Sequence, residues 1–287
     1  EGANMNVLSL FDGISCGQVA FERARIKVEN YFASEIKEIA IKVAMNNYPK
    51  TIQLGDVREL NVSKIPKVDI LIGGSPCQNL SKGRLIANKI QDGLTGDKSN
   101  LFWEYIRILK QLNPEYFLLE NVVMPKKDEN MISQLLGVEP IKINSNLVSY
   151  QNRDRLYWTN ILNVQQPKDL KISFQDYKDT SFDYCKEFEV KKTPSREKMW
   201  GNGLNGNCKN VTYEDKINCV TLKQDRFSNS GLVEFGSFCR YLTTRELELA
   251  QTLPVGYTKG LSIRQAQNVI GDGWTIDVIA HILSNIN

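Results

Sequence analysis

The 287-residue chain has one histidine, His281, and no apolar run near the roughly 18 residues that a membrane span requires. A single imidazole excludes metal sites built on two histidines. It also ties any Ser-His or Cys-His catalysis to an apolar C-terminal segment. The six cysteines, at 16, 77, 185, 208, 219 and 239, include no Cys-x-x-Cys pair. A disulfide framework is therefore not indicated, and a reducing compartment is expected. No charged-then-apolar leader is visible, Met5 is expected to be the native start, and Glu1 to Asn4 are set aside. Charge of one sign is also lacking in excess: Lys+Arg 36 against Asp+Glu 33 leaves +3. That balance is compatible with a nucleic-acid partner without being diagnostic of one. With 41% hydrophobic and 24% charged residues, disordered and collagen-like classes are excluded, and the length allows about two domains. A soluble, cytoplasmic protein with no membrane segment and no metal is expected.

What is present alternates. Asn6 to Leu10 reads as a strand, Gln18 to Ala24 as a helix start, Tyr31 to Ser34 as a strand and Ile36 to Asn46 as a helix. Val68 to Ile72 is a continuous apolar strand of the kind buried on both faces of a parallel sheet. Leu101 to Leu112 is amphipathic and ends at Asn113-Pro114, and Tyr116 to Leu119 is another buried strand. This order predicts an α/β fold with an open, mostly parallel sheet flanked by helices, its sites at the carboxyl ends of the strands. From about Gln166 to Phe238 the periodicity fades, leaving β-like pieces at Asn218 to Leu222 and Leu232 to Phe235. Helical patterning returns at Thr243 to Thr252 and Ile276 to Ile286. The division expected is a first domain of 1–165 with 258–287, and a small irregular domain of 166–257.

Four groups of residues carry chemistry. Phe11-Asp12-Gly13-Ile14-Ser15-Cys16-Gly17 follows the first strand, and Glu35 ends the second, 22 residues after Gly13. That spacing is near the one at which an acid meets a ribose in dinucleotide-binding folds. The loop lacks the glycine pattern a pyrophosphate needs, which favours a nucleoside without phosphates, such as S-adenosylmethionine. Asp56, between Gly55 and Val57, is placed to accept from an adenine amino group. Cys77, in Gly73-Gly74-Ser75-Pro76-Cys77-Gln78, follows a strand directly. It reads as a nucleophile or as an inert buried thiol, and at a pKa of about 8.5 only a few per cent is thiolate at neutral pH. Glu120, at the end of an apolar strand, is expected to be desolvated and raised in pKa, or else paired or capping. Gln151-Asn152-Arg153-Asp154-Arg155 sets two arginines two apart, on one face of an extended segment.

In order and across essentially the whole chain, these motifs resemble the cytosine-5 DNA methyltransferases. Phe11 to Gly17 is similar to the cofactor loop of that family, and Glu35 and Asp56-Val57 to its next two cofactor elements. Pro76-Cys77-Gln78 resembles the catalytic motif, Glu120-Asn121-Val122 the ENV motif, and Gln151-x-Arg153-x-Arg155 the QxRxR motif. Arg240-Tyr241-Leu242-Thr243 and Gly271-Asp272-Gly273-Trp274 resemble the last two. The wording of Val7 to Ser15, Ala33-Ser34-Glu35 and Gly55 to Arg58 is closest to the animal de novo branch. Asn79-Leu80-Ser81 departs from the common continuation of the catalytic motif, as does Asp272 from the usual Asn or Arg.

The resemblance implies a Rossmann-like fold that binds S-adenosylmethionine, with S-adenosylhomocysteine as product and double-stranded DNA as partner. It implies Cys77, Glu120, Arg153 and Arg155 as catalytic residues, Arg153 bracing the loop or a phosphate. Cofactor contacts are implied for Phe11, Asp12, Gly13, Ile14 and Gly17. A second group is Glu35, Ile36, Asp56, Val57, Pro76 and Leu101, with Asp272, Gly273 and Trp274 closing the pocket. Gln78, Ser81, Lys82, Arg84 and Gln151 are the implied nucleic-acid contacts, and target recognition is implied for about Leu162 to Cys239. The segment Asn79 to Lys98 carries four basic residues against two acidic ones and reads as a loop that closes over DNA. A transfer-RNA methyltransferase on the same chemistry and a catalytically silent regulatory homologue are the alternatives.

Overall fold

Alternating apolar runs and amphipathic stretches make β1 (Met5–Leu10), α1 (Cys16–Arg23), β2 (Val28–Ser34), α2 (Glu38–Asn47), β3 (Ile52–Gln53) and β4 (Ile70–Gly74). Then come α3 (Asn100–Leu112), β5 (Tyr116–Val122), α4 (Lys126–Leu136), β6 (Ile141–Asn144) and β7 (Asp154–Thr159). This is a computed structural model that describes residues 4–75, 100–194, 209–225 and 229–286. The chain divides into two compact units. One comprises the described residues up to Ile143, Asp154–Gln166 and those from Ile279 on; the other comprises Asn144–Arg153 and Pro167–Val278.

In the first unit seven strands form one sheet in the order β3-β2-β1-β4-β5-β7-β6. β1 pairs in parallel with β2 and β4, β2 with β3, and β4 with β5, whereas β7 runs antiparallel to β5. Val7, Leu8, Leu10, Ile70, Leu71 and Ile72 are fully buried, as strands covered on both faces require. The strand order reverses between β1 and β4, so their carboxyl ends flank the crevice where open α/β sheets bind ligands. α3 turns Phe102, Tyr105, Ile106 and Ile108 into the core with Leu71, Leu119 and Trp158. The Trp158 indole donates to Ser133 Oγ at 3.0 Å, tying α4 to β7.

The second unit contains α5 (Phe182–Lys186), the hairpin β8 (Val233–Phe235) and β9 (Phe238–Arg240), α6 (Thr244–Ala250), α7 (Ile263–Asp272) and the start of α8 (Ile276–Leu283). Three differences from the sequence reading stand out. Asn218 to Leu222 is not a strand: a single bridge joins Ile217 to Gln151, and Val220 turns its N–H to the Gln151 side chain. Residues 258–278, grouped above with the first domain, make their contacts in the second unit: Gln267 donates to Leu222 O at 2.9 Å and Ser145 to Thr275 at 2.7 Å. α4, β6, β7 and α7 are additional to the elements expected, and α7 buries Ala266, Val269 and Ile270 at helical spacing. α4 buries only Ile132, Ser133 and Leu136.

The second unit is organised around a buried ion pair. Arg240 and Glu246 are both 0% exposed and meet through two bonds of 2.8 and 2.9 Å. Glu246 also accepts from the backbone of Thr243 (2.9 Å) and Asp179 (2.7 Å), closing a capping box that starts α6. Desolvating two charges is costly, and removing one partner strands the other in a site closed to solvent. Arg240→Leu is therefore expected to lower the unfolding free energy by ~3–5 kcal/mol, read as a fall in the urea midpoint of the whole chain.

Candidate active site

The β1 loop is wound unusually tightly. Phe11, Gly13 and Ser15 have φ of 56, 58 and 62°, so two residues with side chains hold the left-handed region that glycine alone occupies cheaply. Hydrogen bonds hold them there. Asp12 N donates to Ser34 O at 3.1 Å and Ser15 N to Asp12 O at 3.1 Å. The Asp12 carboxylate accepts from the Tyr31 hydroxyl at 2.8 Å and from the Ser15 hydroxyl. Burial pushes the Asp12 carboxyl up to about 6, with Glu35 adding to the rise, against the hydrogen bonds from Ser15, Ser9 and Tyr31 that favour its charged form.

Glu35, at the end of β2, accepts from Gly13 N (2.8 Å), Ile36 N (2.8 Å) and Lys37 N (2.9 Å). It thereby joins the β1 and β2 loops. Ile36 is 64% exposed, an apolar face beside that carboxylate. Asp56 caps the 3₁₀ turn Val57–Glu59 and pairs with Arg58, whose hydrogen bonds hold its carboxyl below the ordinary carboxylate value. Gly13 and Gly55 would meet nothing with an added Cβ, so both loops are open at these points. Val57 and Ile14 are buried, while Leu101 packs half-buried against the core. Gly17 is different: a Cβ there would lie 2.5 Å from the Tyr31 hydroxyl and 2.7 Å from Ile72 Cδ1, so packing within the sheet explains this glycine.

At the ends of β4 and β5 a second group forms. Asn121 donates to Ser75 Oγ at 2.9 Å, locking the end of β5 to the residue after β4. Glu120, 9% exposed, takes the Arg155 guanidinium at 3.0 Å. The strand-end acid thus has a cation of its own. Pro76, Cys77 and Gln78 continue from Ser75 in sequence and, with Ser81, Lys82, Arg84 and the rest of the segment to Lys98, lie outside the described residues.

The two arginines read as sharing one face part company, because β7 begins only at Asp154. Arg155 belongs to the sheet. Arg153, 5% exposed, lies in the second unit and donates to Val220 O (3.2 Å), Gly271 O (3.3 Å) and Gly273 O (3.0 Å), with Cys219 Sγ at 3.2 Å. Gln151 is fully buried and spends its amide on Ala250 O, Gln251 Oε1 and Val220 N. In this arrangement it offers no group to a phosphate or a base. Asp272, Gly273 and Trp274 also lie in the second unit, Gly273 O accepting from Gln251 as well at 3.1 Å. Among the described residues no cluster of His, Cys, Asp and Glu could hold a metal, and no helix is long and apolar enough to cross a membrane.

With that geometry in place, comparison with known proteins adds a lineage. A family model described as C-5 cytosine-specific DNA methylase matches residues 5–224. Among relatives, the orphan methyltransferase M.Rho11sI of Bacillus phage rho11s is 31% identical over 168 residues, covering 54% of this chain and 32% of that protein. The type II methyltransferase M.FnuDI of Fusobacterium nucleatum is 28% identical over 241 residues, 79% of this chain and 64% of that protein. The chain spans between about a third and just under two thirds of the length of the curated relatives it matches. In fold it is similar to the Entamoeba histolytica methyltransferase EhMeth, with a TM-score of 0.78, 17% identity and 99% and 98% of the two chains covered.

Arg153 holds carbonyls that have no other cation among the bonds given above. Arg153→Ala is expected to cost ~2–4 kcal/mol of stability, because each buried acceptor left unsatisfied costs on the order of 1–3 kcal/mol. A lowered thermal midpoint in a scan of the purified variant would register it. An unchanged midpoint would remove the bracing role.

Proposed function

The chain belongs to the C-5 cytosine-specific DNA methylase family, and from that premise we propose that it transfers a methyl group from S-adenosylmethionine to C5 of cytosine in double-stranded DNA. The observation that carries this reading is the buried Glu120–Arg155 pair, beside the end of β4 from which the chain runs into Pro76-Cys77-Gln78. The names of its relatives, an orphan and a type II methyltransferase, support the same class.

The loop residues fit the donor. Asp12, Glu35 and Asp56 at the ends of the first three strands are all acids, which suits a cationic nucleoside with ribose hydroxyls and repels a pyrophosphate. Glu35 and Asp56 are the groups for the ribose and the adenine edge, exposed Ile36 offers the base an apolar face, and Asp12 and Gly13 line the β1 turn. When bound, S-adenosylmethionine supplies an electrophilic methyl on sulfur.

The chain's own residues make cytosine able to take that methyl. C5 is a poor nucleophile until the Cys77 thiolate adds to C6 and breaks the conjugation of the ring. Glu120 then shares a proton with N3 as charge develops there and accepts from the exocyclic amine. Arg155, already on the Glu120 carboxylate, contacts O2 and keeps the pair aligned. Once C5 carries the methyl, its proton passes to a water and Cys77 leaves as the thiolate, which restores the ring. These atoms are out of reach inside a duplex, so the base is extruded at a cost of a few kcal/mol. The resemblance gives the DNA contact to Gln78, Ser81 and the basic residues Lys82 and Arg84.

Cys77→Ala should abolish methyl incorporation into duplex DNA and leave S-adenosylhomocysteine binding intact, and Glu120→Gln should slow turnover by roughly 10²–10⁴-fold. Tritiated methyl transfer, with total tRNA assayed in parallel, measures both. Full activity in Cys77→Ala would end the proposal, and methyl transfer to tRNA alone would move it to RNA. Bisulfite sequencing of plasmid from cells expressing the chain then reads out the target sequence.

A further inference from the structure

Tyr31 sits within β2 at 4% exposure, yet its hydroxyl reaches beyond the strand to Asp12 Oδ1 at 2.8 Å. The space it uses is the side chain that Gly17 lacks: an added Cβ there would lie 2.5 Å from the hydroxyl oxygen. The Asp12 carboxylate also takes the Ser15 hydroxyl, and Ser15, although it starts α1, makes no side-chain cap bond to that helix. A serine at this position normally gives its oxygen to the helix N–H groups. Here it faces back into the loop, held from the far side by Gln18 Nε2, 3.2 Å from Ser15 Oγ and 2.7 Å from Thr51 Oγ1. The left-handed turn at 11–15 is thus tied to the middle of β2 through one phenol, besides the Asp12 N–Ser34 O bond at the end of that strand.

We propose that Tyr31 is a positioning residue for the donor-binding loop: acting through Asp12 and Ser15, its hydroxyl holds the turn in the charged, left-handed form that takes the donor. The inference rests on the preceding reading that this loop binds S-adenosylmethionine. The groups facing Asp12 are Ser9 on β1, Tyr31 on β2, Glu35 just beyond β2, and Ser15 ahead of α1, and of these Glu35 carries charge. The Asp12 carboxyl stands above its ordinary value of 3.8, at about 6. It is therefore charged above that pH and gains a proton below it. A hydrogen bond donated to the carboxylate favours the charged form, so losing the phenol moves protonation to higher pH.

The test is calorimetric titration of S-adenosylhomocysteine into the full chain from about pH 5 to pH 8. The wild type should lose affinity as pH falls through about 6. Tyr31→Phe should bind several-fold more weakly at neutral pH, with the loss beginning at higher pH, and Asp12→Asn should remove that acidic loss. Gly17→Ala, which displaces the hydroxyl without removing it, should shift the profile in the same direction as Tyr31→Phe and serves if the latter is too unstable to titrate. A Tyr31→Phe profile that is unchanged, or weakened by one factor at every pH, would overturn the assignment. So would an acidic loss that survives in Asp12→Asn. A wild type that binds no S-adenosylhomocysteine at any pH removes the donor reading itself, and this inference with it.

Discussion

Everything at the far end of the sheet depends on the direction and register of one strand. β7 runs antiparallel to β5 with Arg155 opposite Val122 and Tyr157 opposite Glu120. Side chains alternate between faces, so Glu120 and Val122 point the same way and Arg155 falls on the diagonal neighbour of the acid. A slip of one residue would send the guanidinium to the other face and leave a nearly buried carboxylate without its cation. The antiparallel strand beside β5 is therefore what makes an acid at the end of an apolar strand tolerable.

The same economy governs the other buried charges. Glu246 is sealed from solvent only because Arg240 meets it with two bonds and two backbone N–H groups complete its shell. Asp12 has no such cation among the described residues. It is held by hydroxyls, which compensate burial less fully, and its carboxyl stands near neutrality as a result. The Arg240–Glu246 pair accompanies fixed architecture, whereas the hydroxyl-held acid lies in the loop of the candidate donor site.

Much of the first unit could be read from local pattern. Apolar runs bounded by turns gave β1, β2, β4 and β5 to within a few residues, and acids closing those runs marked the loops. The chemistry of Gln151, Arg153 and Gly17 could not be read that way. The carbonyls that Arg153 holds lie 67 to 120 residues away, and the neighbours that dictate Gly17 are on β2 and β4. Two arginines spaced two apart suggest one face, yet the strand starts between them. α7 carried two local signals, the helical spacing of Ala266, Val269 and Ile270 and the Ser262 and Gln265 capping box at its start. Why the Phe11 and Ser15 backbones turn left-handed became clear only with Tyr31 and Ser34 in place.

The first unit is assembled from three separate stretches of chain, the last beginning at Ile279, where His281 Nε2 lies 2.7 Å from Gln165 O. During synthesis the nascent sheet must wait, exposed at this seam, while more than a hundred intervening residues leave the ribosome. The second unit has most of its sequence available before the first can close.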